Sequence, residues 1–180
     1  MVREDQIGVL IEQEVLEARI KELGEQISKE YAGKELKLVC ILKGGAMFMT
    51  QLAKYITIPV TMDFMILSSY GDALISSGTV HIKKDMDDDI VDKHVLIVED
   101  IVDTGNTLQC LLQLLQAREP ASLKVCALLD KPARRKVDIK ADFSGFDIPD
   151  EFVVGYGLDF NSLYRDLPFI GVLKPEYYAK

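Results

Sequence analysis

Positive charge is the scarcer kind in this 180-residue sequence: 21 lysines and arginines stand against 29 aspartates and glutamates, for a formal charge of −8. Such a surface repels phosphate backbones, and the one basic run, residues 131–136, is too short for the stripe a nucleic-acid reader needs. No nucleic acid is expected as a main partner. Cysteine is scarce too. Cys40, Cys110 and Cys126 sit in apolar runs without metal-ligand spacing, which reads as buried free thiols in a reducing compartment, the cytoplasm. Also missing is any apolar stretch near the roughly 20 residues that span a bilayer, and the charged start carries no apolar export segment. The chain is expected to engage no membrane and to remain unexported. No internal repeat or linker divides it, and 48% hydrophobic residues suffice for a single domain over residues 1–180 with a well-filled core.

What is present alternates between strands and helices. Leu16, Ile20, Leu23 and Ile27 recur at helical spacing within residues 12–31, and Gly33 can supply a left-handed end cap. Residues 36–42 read as an apolar strand that runs into Lys43-Gly44-Gly45 and a helix over 46–56. A strand over 60–67 is followed by a Ser-, Gly- and Asp-rich stretch, 68–79, with little apolar content for packing, which is expected to be a mobile loop. After the acidic run 85–92 come an apolar strand at 94–98 and a leucine-rich helix over 106–118 ended by Pro120. Further strands are expected at 123–129, 152–156 and 169–173. The alternation predicts an α/β fold with a mainly parallel central sheet flanked by helices, and a small flap beside it.

The most informative segment runs Val95-Leu96-Ile97-Val98-Glu99-Asp100-Ile101-Val102-Asp103-Thr104-Gly105-Asn106-Thr107-Leu108. It is a buried strand that passes through three carboxylates into a helix start. The first N–H groups of a helix are unpaired and carry partial positive charge, Thr104 and Thr107 add hydroxyls, and Gly105 lets the backbone approach closely, so a phosphate can be held there. Glu99 and Asp100 fall at the carboxyl end of the strand, where open α/β sheets bind ligands, and can accept from sugar hydroxyls or hold Mg²⁺. Asp103 is left free to act on a proton. A lone Asp-Thr-Gly would more often be a helix cap, but three acids with a complete phosphate cradle exceed what capping requires. Lys43 and Gly44, after their own apolar strand, can form a small backbone nest for an anion.

This segment resembles the signature of the type I phosphoribosyltransferases, apolar flanks around Glu-Asp-x-x-Asp-Thr-Gly-x-Thr, which binds phosphoribosyl pyrophosphate (PRPP). Leu129-Asp130-Lys131-Pro132, the stretch from Asp142 to Asp159 and Tyr164-Arg165-Asp166-Leu167-Pro168 resemble the C-terminal half of the hypoxanthine-guanine phosphoribosyltransferases. With Lys43-Gly44-Gly45 and Ser68-Ser69-Tyr70-Gly71, the likeness extends over about residues 36–173. It implies the type I fold with a hood and a mobile active-site loop, and transfer of the phosphoribosyl group of PRPP to N9 of hypoxanthine or guanine. It further implies Mg²⁺ as cofactor, held by Glu99, Asp100 and Asp159, and a homodimer or homotetramer.

Residue by residue, the resemblance puts the 5-phosphate and ribose at Glu99, Asp100, Asp103, Thr104, Gly105, Asn106 and Thr107. Pyrophosphate falls at Lys43, Gly44, Ser69, Tyr70 and Arg165, whose planar guanidinium can bond two oxygens at once. Lys131 falls at the purine O6, Phe152 under the ring, and the backbone of Val153 and Asp159 near the 2-position. Asp103 takes the role of general base, and a cis peptide is implied at Leu42-Lys43. Asn106 departs from relatives that carry Lys or a hydrophobe there. Two alternatives come from the same signature, a xanthine-preferring transferase and an RNA-binding regulator on the same fold. The acidic charge and the intact Asp103, Lys131 and Arg165 weigh against the second. An acidic metal-binding domain of the response-regulator kind would explain Glu99 and Asp100 but neither the Thr-Gly-Asn-Thr cradle nor Phe152.

Overall fold

The computed structural model describes residues 6–68 and 81–178. Its larger sheet holds β2 (Leu36–Leu42), β3 (Val60–Ser68), β4 (His81–Lys84), β5 (His94–Val102), β6 (Ser122–Asp130) and β7 (Phe143–Asp147), in the order β4-β3-β2-β5-β6-β7. All neighbours pair in parallel except β4, which lies antiparallel at the edge. A second, antiparallel sheet joins β1 (Ile7–Ile11), β9 (Ile170–Leu173) and β8 (Val153–Val154), and forms the expected hood.

The central strands read as continuous apolar runs because both of their faces are covered. Along β2, Leu36, Leu38 and Cys40 point into one core while Val39 and Ile41 point into the other; along β5, Leu96 and Val98 separate from Val95 and Ile97 in the same way. Helix α1 (Gln13–Glu30) covers the first face with Leu16, Ile20, Leu23 and Ile27, all fully buried. Burying each such side chain contributes roughly 1.5–3 kcal/mol. Its end is set by Tyr31, whose N–H bonds the Ile27 carbonyl at 3.0 Å, and by Gly33 at φ +76°. Helix α2 (Gly45–Ala53) packs on the same face through Phe48, Met49 and Leu52, and α3 (Asn106–Gln116) covers the opposite face with Leu108, Leu111 and Leu115.

Several expected boundaries shift. The helix expected to reach residue 56 ends at Ala53, and the strand expected over 152–156 contracts to Val153–Val154. β5 runs four residues further than expected, to Val102, because β6 continues the ladder beside it as far as Val102 opposite Asp130. Strands β1, β4 and β7 had no counterpart among the expectations. The acidic run 85–92 is tied to the sheet by cations: buried Lys37 bridges Asp63 at 2.9 Å and Asp88 at 3.1 Å, and Arg118 binds Asp85 through two nitrogens at 2.7 and 2.9 Å. Of the loop expected at 68–79, residues 69–79, with Ser69 and Tyr70, lie outside the described residues.

Candidate active site

At the carboxyl end of the parallel strands, β2 stops pairing with β5 at Cys40 opposite Val98, whereas β6 pairs on to Val102. Glu99 and Asp100 therefore sit inside β5, yet one side of the strand there is open, and the loop after β2 closes against it. Gly44 is what permits the approach: a Cβ at that position would lie 1.5 Å from Asp100 Oδ2. Gly157, at φ +102°, stacks on the other side, where a Cβ would stand 2.0 Å from the Gly44 carbonyl oxygen. The loop at Gly44 is thus sandwiched between the Asp100 carboxylate on one side and Gly157 on the other. The Leu42-Lys43 peptide leading into this contact is cis, as the resemblance implied, with Lys43 exposed and Gly44 buried.

Crowding sets the electrostatics. Burial, reinforced by the neighbouring Asp100 charge, raises the Glu99 carboxyl well above its usual value. Burial likewise pushes Asp100 up to about 6, against the opposing pull of the Ile101 N–H, which donates to Oδ1 at 2.8 Å, and of the Arg165 charge. The Cys40 thiol beneath them is pushed up to about 12 by burial and by both acids. It behaves as an inert core residue.

Beyond β5, the chain turns through Gly105 at φ +83° into α3. Gln109 N–H makes the first helical bond, back to the Gly105 carbonyl at 2.9 Å, and Asn106 N–H makes a long contact to Thr104 Oγ1 at 3.5 Å. A pocket of about 130 Å³ lies here, lined by Glu99, Asp103, Thr104, Gly105 and Thr107 among others. The 131–136 run wraps around this turn. Lys131 N–H donates to the Val102 carbonyl and Lys136 N–H to the Thr104 carbonyl, both at 2.9 Å, while Arg135 donates to the Asp103 carbonyl at 2.9 Å and pairs with Asp130.

The expected base-binding residues gather on the hood side. Lys131 is buried, and its ammonium donates to the Glu151 carbonyl at 2.6 Å, which holds it beside Phe152. Phe152, 36% exposed, stacks on Tyr178 with centroids 4.9 Å apart and meets the Phe160 ring at 5.7 Å edge to face. Val153 is buried in β8 opposite Val172. Asp159 lies 2.5 Å from an Arg165 nitrogen and accepts from Ser162 N–H at 2.7 Å, and Arg165 also donates to the Gly157 carbonyl.

Comparison with known proteins decides the affiliation. A model of the phosphoribosyl transferase domain matches residues 10–161. A hypoxanthine-guanine phosphoribosyltransferase of Streptococcus thermophilus is 48% identical over the whole of both chains, and one of Staphylococcus aureus is 53% identical over 95% of this chain and 96% of its own. This chain belongs to the hypoxanthine-guanine phosphoribosyltransferase family. Among solved structures, a hypoxanthine phosphoribosyltransferase of Staphylococcus aureus superposes with a TM-score of 0.94 at 52% identity, covering 98% of this chain and 96% of that one. A Bacillus anthracis hypoxanthine-guanine phosphoribosyltransferase with HEPES in its active site gives 0.91 at 44% identity, covering 94% of this chain and 99% of that one.

Within this family member, one expectation changes. Asp103 is not free: Arg134 Nε stands 2.7 Å from its Oδ1, an ion pair between half-exposed groups, because the basic run is drawn over the phosphate turn. Among the described residues no three His, Cys, Asp or Glu side chains converge, and Asp159 stands apart from the Glu99–Asp100 pair, in keeping with its expected place at a second metal. Asp159 is drawn to Arg165. The adjacent pair Glu99 and Asp100, whose charges oppose each other, suits a hard divalent cation that takes its remaining oxygens from substrate and water, as Mg²⁺ commonly does. Sequence reading missed Arg134, Arg135 and Tyr178. The basic run was visible as a run, but which of its side chains turn inward is a property of the loop. A cavity of about 600 Å³ lies at the opposite end of the strands beside Lys37, Asp88 and His94, away from the expected site residues among those described, and its Lys37 and Asp88 already pair with each other.

Proposed function

We propose that the protein transfers the 5-phosphoribosyl group of PRPP to N9 of hypoxanthine or guanine, releasing pyrophosphate and forming IMP or GMP. The observation that carries this reading is the joining of three subsites by the β5–β6 ladder: the Thr104-Gly105-Asn106-Thr107 cradle, the Glu99–Asp100 pair and the Lys131 ammonium beside Phe152. The 5-phosphate is held by the amides and hydroxyls at the start of α3. Pyrophosphate lies along Lys43, Gly44 and Arg165, with Ser69 and Tyr70 contributing from the loop.

As the C1–pyrophosphate bond breaks, positive charge grows on the ribose and negative charge on the leaving group. Glu99 and Asp100 face the ribose hydroxyls, and Arg165 meets the pyrophosphate. Mg²⁺ held by Glu99 and Asp100, with Asp159 near a second site, would supply further charge neutralisation on the departing oxygens. N9 of the purine forms the new bond to C1, and the N7 proton passes to the Asp103 carboxylate. Lys131 donates to O6, Phe152 stacks on the ring, and the backbone at Val153 and Asp159 accepts from the 2-amino group of guanine. Exposed Met47 on α2 (43%) and Met62 on β3 (54%) support a homodimer or homotetramer. No helix among the described residues is long and apolar enough to cross a membrane, and the buried thiols of Cys40 and Cys126 fit a cytoplasmic enzyme.

The test is a panel: purified protein, PRPP and Mg²⁺ with hypoxanthine, guanine, xanthine, adenine or orotate, each with a chelated control, with nucleotide and pyrophosphate separated by chromatography. Magnesium-dependent IMP and GMP are expected, and product from xanthine alone would move the specificity. Asp103→Asn should lower kcat by roughly 10²- to 10⁴-fold with little change in PRPP affinity, and an unimpaired variant removes Asp103 from the base role.

A further inference from the structure

We infer that Arg134 is a positioning residue for this reaction, one that ties the Asp103 carboxylate to the wall of the purine pocket. The inference rests on the proposed role of Asp103 as the base. Arg134 ends the short turn Pro132–Arg134 that follows Lys131. Its Nε stands 2.7 Å from Asp103 Oδ1 and its Nη1 donates to Asp150 Oδ1 at 3.1 Å, so one planar guanidinium spans two carboxylates from separate segments. Asp150 lies directly before Glu151, whose carbonyl holds the Lys131 ammonium, and Phe152, the stacking ring. The guanidinium therefore couples the group that would receive the proton to the segment that would locate the purine.

The other charged groups around Asp103 do not aim its carboxylate. Arg135 is occupied by the Asp103 backbone carbonyl and by Asp130, and Glu99, which lines the same pocket, is an acid. The link from the Asp103 carboxylate to Arg134 is a single ion pair, Nε to Oδ1 at 2.7 Å. All three side chains are about half exposed, and such pairs add little to folding stability. A pairing of this kind leaves the carboxylate able to turn toward a bound purine while limiting where it can go. Its consequence should be read in turnover.

The experiment compares Arg134→Ala, Arg134→Lys, Asp103→Asn and the Arg134→Ala/Asp103→Asn double variant, with kcat and KM measured for PRPP and for hypoxanthine. Arg134→Ala is expected to lower kcat roughly tenfold, through a misplaced base, with KM for PRPP nearly unchanged. Arg134→Lys should recover part of the loss, since an ammonium reaches one carboxylate but cannot span two. In the Asp103→Asn background, Arg134→Ala should have no further effect. An equal loss in both backgrounds, or one confined to KM for PRPP, overturns the inference while leaving the base assignment intact. A fully active Asp103→Asn enzyme overturns the base assignment instead. Should Arg134→Ala fail to fold by circular dichroism, Asp150→Asn, which removes only the second anchor, must show a smaller loss of kcat that vanishes with Asp103→Asn, and additivity there refutes the inference equally.

Discussion

Replacing Asp100 by Asn should make the metal-free protein more stable at neutral pH. Burial raises the Asp100 carboxyl from the ordinary 3.8 to about 6. A carboxyl with a higher pKa folded than unfolded binds its proton more tightly in the folded chain. Stability contributed by that proton is therefore fully present below about pH 4 and is lost as the pH rises through 6. The gap of about 2 pH units, at about 1.4 kcal/mol each, sets a ceiling of about 3 kcal/mol at pH 7.5, and partial exposure of the side chain reduces this to about 1–3 kcal/mol. Asn keeps the oxygen that accepts the Ile101 N–H at 2.8 Å, and it removes the charge that pushes Glu99 upward, which acts in the same direction. Urea unfolding with a chelator present, at pH 7.5 and pH 4, measures the effect directly. The variant should exceed the parent at pH 7.5, with the difference falling below about 1 kcal/mol at pH 4. Added Mg²⁺ should stabilise the parent and hardly affect the variant. An Asn variant that is no more stable at pH 7.5 refutes the claim that an uncompensated charge is held at this position.

Gly44→Ala should raise KM for PRPP well above its effect on KM for the base and cost about 1–3 kcal/mol in unfolding free energy, because the new Cβ displaces the Asp100 carboxylate; unchanged PRPP kinetics would refute the close approach. Tyr178→Ala should raise KM for hypoxanthine by about two- to tenfold and leave KM for PRPP unchanged, since an aromatic pair is worth roughly 0.5–1.5 kcal/mol and Tyr178 backs the Phe152 ring. Tyr178→Phe should behave as the parent, and a loss as large as in the Ala variant would show that the hydroxyl, not the ring, matters.

Periodicity made the central layer legible. Leu16, Ile20, Leu23 and Ile27 could only be one helix face, and the uninterrupted Val95-Leu96-Ile97-Val98 could only be a strand covered on both sides. The turn proposed as the phosphate cradle was legible for a different reason: Thr104-Gly105-Asn106-Thr107 is contiguous, so a strand end, a glycine turn and a helix start could be placed there without any tertiary contact. What escaped was non-local. β1 is five residues that find their partner at β9, more than 150 positions away, and β7 carries a Phe-Ser-Gly-Phe-Asp pattern too short and mixed to announce itself. The end of β5 was placed too early because two acids look like the close of a strand; the β6 ladder that carries pairing past them is invisible locally.

The basic run illustrates the limit of charge counting. In a chain of net charge −8, residues 131–136 read as too short a patch for a polyanion, a reading that is silent about what those residues touch. Four of those six residues make polar contacts with the segments of the proposed site: Lys131 with the end of β5 and with Glu151, Arg134 with Asp103 and Asp150, Arg135 with Asp130 and the Asp103 carbonyl, and Lys136 through its amide with Thr104. A site that gathers Glu99, Asp100, Asp103, Asp130, Asp150 and Asp159 at one end of a sheet, and must also admit a phosphorylated substrate, requires cations that neutralise its acids without filling the cavity. A short basic loop laid across the phosphate turn meets that requirement. Charge surplus over the whole chain and charge balance within the site are separate quantities, and only the second bears on the reaction.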